Sequence, residues 1–242
     1  MKTLILGGYG NFGARISRAL AGDEAITVLI GGRDLQQAQR CAQALGGGAR
    51  GVRIDTQAPD FAQRLRELGA GLVIHTAGPF QGQDYRVPHA VAQAGAHYID
   101  LADGRRFVCD FPGELDAAFR AMGRTAISGA STVPALSAAV VDHLSAGWQA
   151  LQRIDTCIAP AQAAPRGRAT LAAVLAYCGA PIQVWQGGRW TEQAGWRSRP
   201  PCVSPAFVRG EALCATSRIS SSSRSAIPAC ARSCSVLRSR SA

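Results

Sequence analysis

Two patterns of hydrophobic positions alternate along this chain: short continuous apolar runs and segments with helical spacing. Short apolar runs rich in Val, Ile and Leu ("TLIL", "AITVLI", "GVRID", "GLVIH", "HYIDL", "TAISG") are each followed by a segment with helical spacing, such as "LQQAQRCAQAL" or "PALSAAVVDHL". Six strand-like runs separated by helices predict βαβ crossovers and a parallel sheet. We therefore expect residues 1–146 to form an α/β domain of the doubly wound, Rossmann type.

The first strand leads into a glycine-rich turn, "LILGGYGNFGARI". Gly8, Gly10 and Gly13 have the spacing G-x-G-x-x-G between a strand and a helix predicted over residues 11–21. Gly8 would allow the tight turn, Gly10 would let the backbone approach a pyrophosphate, and Gly13 would let helix and strand pack closely. The sequence predicts a dinucleotide site in which Tyr9, Asn11 and Phe12 also contact the cofactor. The alternative is a turn without a ligand.

The end of the second strand indicates which dinucleotide is bound. The sequence there is "IGGRD", where an NAD site would place a carboxylate against the ribose hydroxyls. Arg33 instead offers a guanidinium to a 2′-phosphate, and Gly31 and Gly32 would leave room for that phosphate. Asp34 is assigned to the N-cap of the next helix. NADP is therefore the expected cofactor and NAD the less favoured one.

Three later motifs, "VIHTAGPF", "GAHYIDLADGRRFV" and "ISGASTVPALSAAVVDHL", together with "LILGGYGNFG", resemble the NADP-binding domain of saccharopine dehydrogenase-like oxidoreductases. The resemblance covers about residues 1–199. It implies a Rossmann domain followed by a smaller substrate domain, and it places the "TAGPF" loop beside the nicotinamide half of the cofactor. Ala77, Gly78, Pro79 and Phe80 become candidate cofactor contacts. The family's chemistry is diverse, so the substrate stays open.

Hydride transfer to a carbonyl or imine also needs a proton donor. The densest titratable cluster at a strand end is "HYIDLADG", in which Asp100 is expected to face the cleft and is the candidate catalytic residue. Its alternative role is to hold loop backbone N–H groups. His75 is expected to be a core or loop-bonded histidine, while Ser128 and Ser131 could contact a ligand or build a turn.

The second half of the chain is less regular. Residues 147–199 predict the beginning of a small α+β domain, with a strand and loop from Leu151, the apolar helix "ATLAAVLAYCG" and the hairpin "PIQVWQGGRW". Residues 200–242 lack helical and strand periodicity. We interpret this irregular tail as an out-of-frame product, since a permitted codon choice read in a shifted frame resembles the family's continuation. A basic, serine-rich regulatory tail is the alternative.

Charge and cysteine spacing narrow the function classes. The formal net charge is +10, but residues 200–242 carry six arginines and one acid, and the remaining charge is scattered. No basic stripe with interleaved aromatics is present, so we expect no nucleic-acid partner. The eight cysteines show no ligand spacing for zinc, and we expect no metal and reduced thiols.

The predicted function follows from these patterns. We expect an NADP-dependent oxidoreductase acting on a carbonyl, imine or related small substrate; the alternative is a non-catalytic dinucleotide-binding protein. The apolar run at the N terminus is shorter than the roughly 7–15 residues of a secretory core, and none approaches the ~20 residues of a membrane span. A cytoplasmic location is therefore expected. Association into a homodimer is left open.

Overall fold

The computed structural model describes residues 1–149, 154, 167–186, 188–196 and 235–237. The chain divides into two compact units. One contains residues 1–133 together with the strand at Ser235–Leu237, and the other lies within residues 134–233. The boundary expected at residue 146 falls inside the second unit.

Among its described residues, the first unit contains seven strands and five helices. The strands are β1 Lys2–Leu6, β2 Thr27–Gly32, β3 Arg50–Arg53, β4 Leu72–His75, β5 His97–Asp100, β6 Ala126–Ser128 and β9 Ser235–Leu237. The helices are α1 Asn11–Leu20, α2 Leu35–Leu45, α3 Phe61–Leu68, α4 Arg86–Gln93 and α5 Arg105–Ala121.

One sheet organises this unit, in the order β3-β2-β1-β4-β5-β6-β9. The first six strands are parallel and β9 pairs antiparallel with β6. The prediction of a doubly wound parallel sheet is confirmed. The chain places β2 and β3 on one side of β1 and then β4, β5 and β6 on the other side, so the strand order reverses at β1. Ligands of such sheets bind outside the carboxyl ends of the strands at the point of reversal.

Both faces of the sheet are covered, which explains the continuous apolar runs of the sequence. Successive side chains of a strand point to opposite faces. Leu4 and Leu6 of β1 accordingly belong to one buried cluster, with α3, α4 and α5, whereas Ile5 belongs to a second cluster with Ala38 and Ala42 of α2.

A short π-helical segment, Thr132–Leu136, spans the boundary between the two units. The described residues of the second unit then form α6 Ser137–Leu144, α7 Arg168–Leu175, β7 Pro181–Gln186 and β8 Arg189–Ala194. The predicted apolar helix and the predicted hairpin are confirmed, since β7 and β8 pair antiparallel. The strand and loop predicted from Leu151 lie outside the described residues apart from Ile154. So does the segment 200–242, apart from β9, a strand that the sequence pattern did not predict.

The described cysteines are not all in the expected state. Cys41 and Cys178 are free thiols, but Cys109 of α5 is disulfide-bonded. The expectation of reduced thiols is wrong at Cys109, because pairing depends on the separation of two cysteines in the folded chain, which sequence spacing does not show. Among the described residues, no helix is both long and apolar enough to cross a membrane.

Candidate functional site

The turn between β1 and α1 is built on Gly7. Its φ is +76°, in the left-handed region, and its carbonyl accepts a hydrogen bond from the Gly10 N–H at 2.8 Å. Gly8, to which the sequence assigned the tight turn, is the second residue of this turn, and the positive φ falls on the adjacent Gly7. Gly8 is small for another reason: a Cβ there would lie 2.9 Å from both Ile30 Cγ2 and the Ile5 carbonyl oxygen.

Gly10 and Gly13 bring α1 onto this turn. A Cβ at Gly13 would overlap the carbonyl oxygen of Gly7, and one at Gly10 would lie 3.0 Å from the same atom. The close helix–strand packing expected at Gly13 is therefore present. α1 begins with no side-chain cap at Gly10 and no acidic residue in its first turn, so its positive end is not neutralised by the helix's own side chains. This arrangement suits a pyrophosphate.

The remaining candidates of the turn differ in exposure. Asn11 and Phe12 open α1, and Phe12 is 51% exposed. Tyr9 is half-buried, because its ring lies where a Cβ of Gly32 would be. The tyrosine therefore reaches from the glycine turn to the end of β2.

The β2–α2 loop presents Arg33. Its side chain is exposed and, among the described residues, it makes no ion pair or hydrogen bond. Asp34 caps α2, because Oδ1 accepts from the Gln37 backbone N–H at 3.0 Å and Oδ2 from Gln37 Nε2 at 2.9 Å. The backbone hydrogen bond from Gln37 is the main cause that lowers the pKa of Asp34.

The space beside Gly31 and Gly32 is not left open for a phosphate, and that expectation is wrong. A Cβ at Gly31 would lie 2.9 Å from Leu4 Cδ1, and the position over Gly32 is filled by the ring of Tyr9. The core and the glycine turn take this space because the turn folds back onto the end of β2.

The loop after β4 is tied to the same turn. Thr76 Oγ1 donates to the carbonyl of Leu6 at 2.8 Å and to that of Gly7 at 3.3 Å. Gln83 Nε2 closes the loop by donating to the carbonyls of Ala77 and Pro79, at 2.8 and 2.9 Å. Neither Thr76 nor Gln83 was predicted from the sequence. The carbonyl partners of Thr76 lie 70 and 69 residues away, and those of Gln83 come within reach only when the loop folds back on itself.

The four candidate contacts of this loop face different surroundings. Ala77 and Pro79 are exposed, Gly78 is half-buried, and the Gly78–Pro79 peptide is cis. The side chain of Phe80 belongs to the core, where its ring centroid lies 5.6 Å from that of Phe107. Phe80 therefore has only its backbone to offer to a ligand.

Asp100 ends β5 and is fully buried instead of facing an open cleft. Its Oδ1 accepts three hydrogen bonds, from Ala102 N at 2.9 Å, Ser128 Oγ at 3.0 Å and Gly129 N at 2.8 Å. Burial raises the pKa of its carboxyl, while the hydrogen bonds from Gly129 and Ala102 oppose that shift. The geometry matches the loop-holding role that the sequence left as the alternative.

His75 and Tyr98 form a buried pair on the neighbouring strands. His75 lies beside Asp100 in the register of β4 and β5, and its Nδ1 is 3.0 Å from the Tyr98 hydroxyl. Desolvation lowers the pKa of His75 to about 4, so the ring is neutral at physiological pH. The expected core position of His75 is observed, with an edge-on contact to Phe80 at 5.0 Å.

The structure thus brings the glycine turn, the Arg33 loop and the 76–83 loop to one edge of the sheet, with Asp100 buried in the strand beyond β4. The described part of the chain contains no group of three His, Cys, Asp or Glu side chains that could hold a metal ion. A strand–glycine turn–helix unit at a topological switch point defines a dinucleotide-binding protein of the Rossmann class.

Comparison with known proteins identifies the family. Residues 3–133, more than half of the chain, match the family described as saccharopine dehydrogenase NADP binding domain. The chain belongs to this family, and NADP is its cofactor. No curated protein sequence matches the chain.

A solved structure of a saccharopine dehydrogenase shows the same fold. The chain is similar to apo saccharopine dehydrogenase (L-Glu forming) from Saccharomyces cerevisiae, with a TM-score of 0.61, 17% identity and coverage of 85% of this chain and 48% of that chain. It therefore spans about half the length of that protein. A short chain dehydrogenase/reductase family protein matches with a TM-score of 0.40 and 20% identity, over 53% of this chain and 73% of that one.

Proposed function

We propose that this protein is an NADP-dependent oxidoreductase that transfers hydride to or from a carbonyl, an imine or a related small substrate. The observation that carries the proposal is the convergence of three loops from distant parts of the sequence. Thr76 joins the loop after β4 to the glycine turn, and the Gly31 carbonyl accepts from Gly7 N and Gly8 N at 3.0 and 3.1 Å. Cofactor loops joined in this way are already organised before a ligand binds.

Each loop has a proposed partner on the cofactor. The backbone of residues 8–13 and the N-terminus of α1 would hold the pyrophosphate, with Tyr9, Asn11 and Phe12 beside it. Arg33 would bind the 2′-phosphate, since a guanidinium forms paired, charge-assisted hydrogen bonds with phosphate oxygens. Residues 77–80 would contact the nicotinamide half, Phe80 through its backbone. When bound, NADP supplies or accepts the hydride.

Proton donation by Asp100 stays a prediction. Its full burial and the three hydrogen bonds on Oδ1 support a role in holding the loops that follow β5 and β6. A group that exchanges a proton with a substrate must be within hydrogen-bond reach of it. Asp100 would therefore need the loops around it to open before it could act as an acid.

Calorimetric titration of the full chain with NADPH and with NADH tests the cofactor assignment. We expect Arg33→Asp to weaken NADPH binding by about 100-fold, because an attractive charge becomes a repulsive one, and to change NADH binding little. Arg124→Asp is the matched control, since Arg124 is exposed and precedes β6, at the opposite edge of the sheet. A folded chain that binds neither dinucleotide would overturn the proposal.

Turnover separates oxidoreductase from non-catalytic binding. NADPH oxidation is followed by absorbance with panels of 2-oxo acids, alone and with amines that form imines from them, and NADP⁺ reduction with the corresponding amino and hydroxy acids. Turnover that is lost in Arg33→Asp at limiting cofactor supports the enzyme. Tight NADPH binding without turnover of any panel member supports the non-catalytic alternative.

A further inference from the structure

Tyr9 connects two loops that would contact different parts of the dinucleotide. It belongs to the glycine turn, but its hydroxyl accepts a hydrogen bond from the Asp34 backbone N–H at 3.2 Å. Its ring lies on Gly32, where even a methyl group would collide with it. One side chain therefore contacts the residue before Arg33 and the residue after it.

The backbone around Arg33 is fixed at several further points. The Gly32 carbonyl accepts from Ile54 N at 2.9 Å, and the Asp34 carboxylate accepts from Gln37 as the cap of α2. Between Gly32 and Asp34, the side chain of Arg33 is exposed and makes no ion pair or hydrogen bond with the described residues. The loop thus holds its backbone in one arrangement and directs a single cationic side chain outward.

The Asp34 carboxylate is the group that could favour NADH by bonding the ribose hydroxyls. Both of its oxygens are occupied by Gln37, with distances of 3.0 and 2.9 Å. Selectivity between the two dinucleotides therefore depends on how well Arg33 meets the 2′-phosphate. Holding its backbone in advance removes part of the ordering cost of that contact.

We propose that Tyr9 is a positioning residue that sets the preference for NADPH over NADH by fixing the backbone on both sides of Arg33. The inference rests on the proposed function, because it assumes that Arg33 binds the 2′-phosphate. The ring excludes other conformations of Gly32, and the hydroxyl orients the Asp34 peptide. Loss of either constraint would spread the guanidinium over more positions and weaken its contact with phosphate.

A double-mutant cycle on the full chain tests the proposal. The dissociation constants of NADPH and NADH are measured calorimetrically for the wild type, Tyr9→Phe, Arg33→Ala and the double variant. Tyr9→Phe keeps the ring over Gly32 and removes only the hydroxyl. We expect it to weaken NADPH binding by about fivefold, the effect of one hydrogen bond, and to weaken NADH binding less.

Coupling to Arg33 distinguishes positioning from general support of the turn. In the Arg33→Ala background, Tyr9→Phe should no longer change NADPH binding, because the residue that it positions is absent. Tyr177→Phe is the matched control, since it removes a tyrosine hydroxyl in the second compact unit. Comparison of 2′,5′-ADP with 5′-AMP, under the same titration, measures the contribution of the 2′-phosphate directly.

Each result has a defined meaning. Equal weakening of NADPH and NADH by Tyr9→Phe, an unchanged NADPH affinity, or a tighter one would overturn the role of Tyr9 while leaving the proposed function intact. An equal effect of Tyr9→Phe with and without Arg33 would also overturn it. A folded wild type that binds no dinucleotide overturns the proposed function itself and the inference with it.

Discussion

At the residue scale, a single carboxylate oxygen joins two loops, those that follow β5 and β6. Asp100 Oδ1 accepts from Ala102, Ser128 and Gly129. Oδ2 has no partner with full hydrogen-bond geometry among the described residues, and the Tyr98 hydroxyl beside the carboxyl group helps to lower its pKa. This difference between Oδ1 and Oδ2 makes it possible to distinguish two roles of the carboxylate, holding the loops and donating a proton. A loop-holding residue needs the acceptor at Oδ1, and a proton donor needs the titratable group itself.

Substitution of Asp100 distinguishes these roles. Asp100→Asn keeps an acceptor at Oδ1 and places its amide where Oδ2 has no partner, so we expect a loss of about 1 kcal/mol in the free energy of unfolding. Asp100→Ala leaves three buried donors unsatisfied and should cost about 4 kcal/mol. Urea denaturation measures both values. Equal losses would contradict the loop-holding role, and turnover retained by Asp100→Asn would exclude proton donation.

The buried His75 makes stability depend on pH. Its folded pKa is about 4, against about 6.5 for an unperturbed imidazole. Between these values the unfolded chain binds a proton that the folded chain does not, so stability is full above pH 6.5 and falls as the pH approaches 4. We expect the loss to reach about 3 kcal/mol, measured by urea denaturation at pH 7 and at pH 4.5.

His75→Gln is the control for this pH dependence, because its amide oxygen can accept from the Tyr98 hydroxyl without titrating. Asp100 contributes with the opposite sign, since burial raises its pKa and the folded chain then binds a proton more readily. The contribution of Asp100 is the same in the wild type and in His75→Gln, so the difference between their pH-dependent losses of stability measures the contribution of His75. A variant that loses as much stability as the wild type would rule out the assigned cause.

At the scale of elements, the close approach of α1 to the turn after β1 determines where the N-terminus of the helix lies. The helix approaches the turn so closely that Gly13 has no room for a methyl group beside the Gly7 carbonyl. The helix N-terminus is thereby placed at the carboxyl end of β1, where an anion can meet its backbone N–H groups. The position of the helix N-terminus, and with it the proposed pyrophosphate site, therefore depends on the absence of a side chain at Gly13.

Gly13→Ala should separate α1 from the turn. We expect it to cost about 1–3 kcal/mol by overpacking and to weaken NADPH binding. Gly113→Ala is the matched control: Gly113 lies in α5, is exposed, and a Cβ there would have no described neighbour within 4 Å. It should stabilise the chain by about 0.5–1 kcal/mol and leave NADPH binding unchanged. Thermal denaturation and calorimetry check both, and a tolerated Gly13→Ala would contradict the packing argument.

At the scale of the whole molecule, the site depends on segments that are far apart in the sequence and meet at one edge of the sheet. We expect NADPH to slow hydrogen exchange in peptides that cover residues 6–14, 30–37 and 76–83, because a bound ligand stabilises the state that holds it. Peptides from α7, in the second unit, serve as the control. Protection confined to the glycine turn would show that the three loops do not act as one site.

Much of this arrangement was predictable from local patterns. Six apolar runs alternating with helical periods indicate the parallel sheet, and the Asp34 cap of α2 follows from a residue preference at helix starts. Gly8 lies in the tight turn as expected, but the spacing of the motif does not reveal that the adjacent Gly7 takes the positive φ.

The sequence by itself determined the elements, the class of sheet and the position of the glycine turn, because hydrophobic period and glycine spacing act over a few residues. Only the tertiary structure decided what those residues contact. It buried Asp100 under three donors, moved Phe80 into the core and placed Tyr9 over Gly32. Apart from the hydrogen bond from Ala102, these contacts join positions 20 or more residues apart. Burial and hydrogen bonding between such positions are set by how strands and helices pack, which no local pattern encodes.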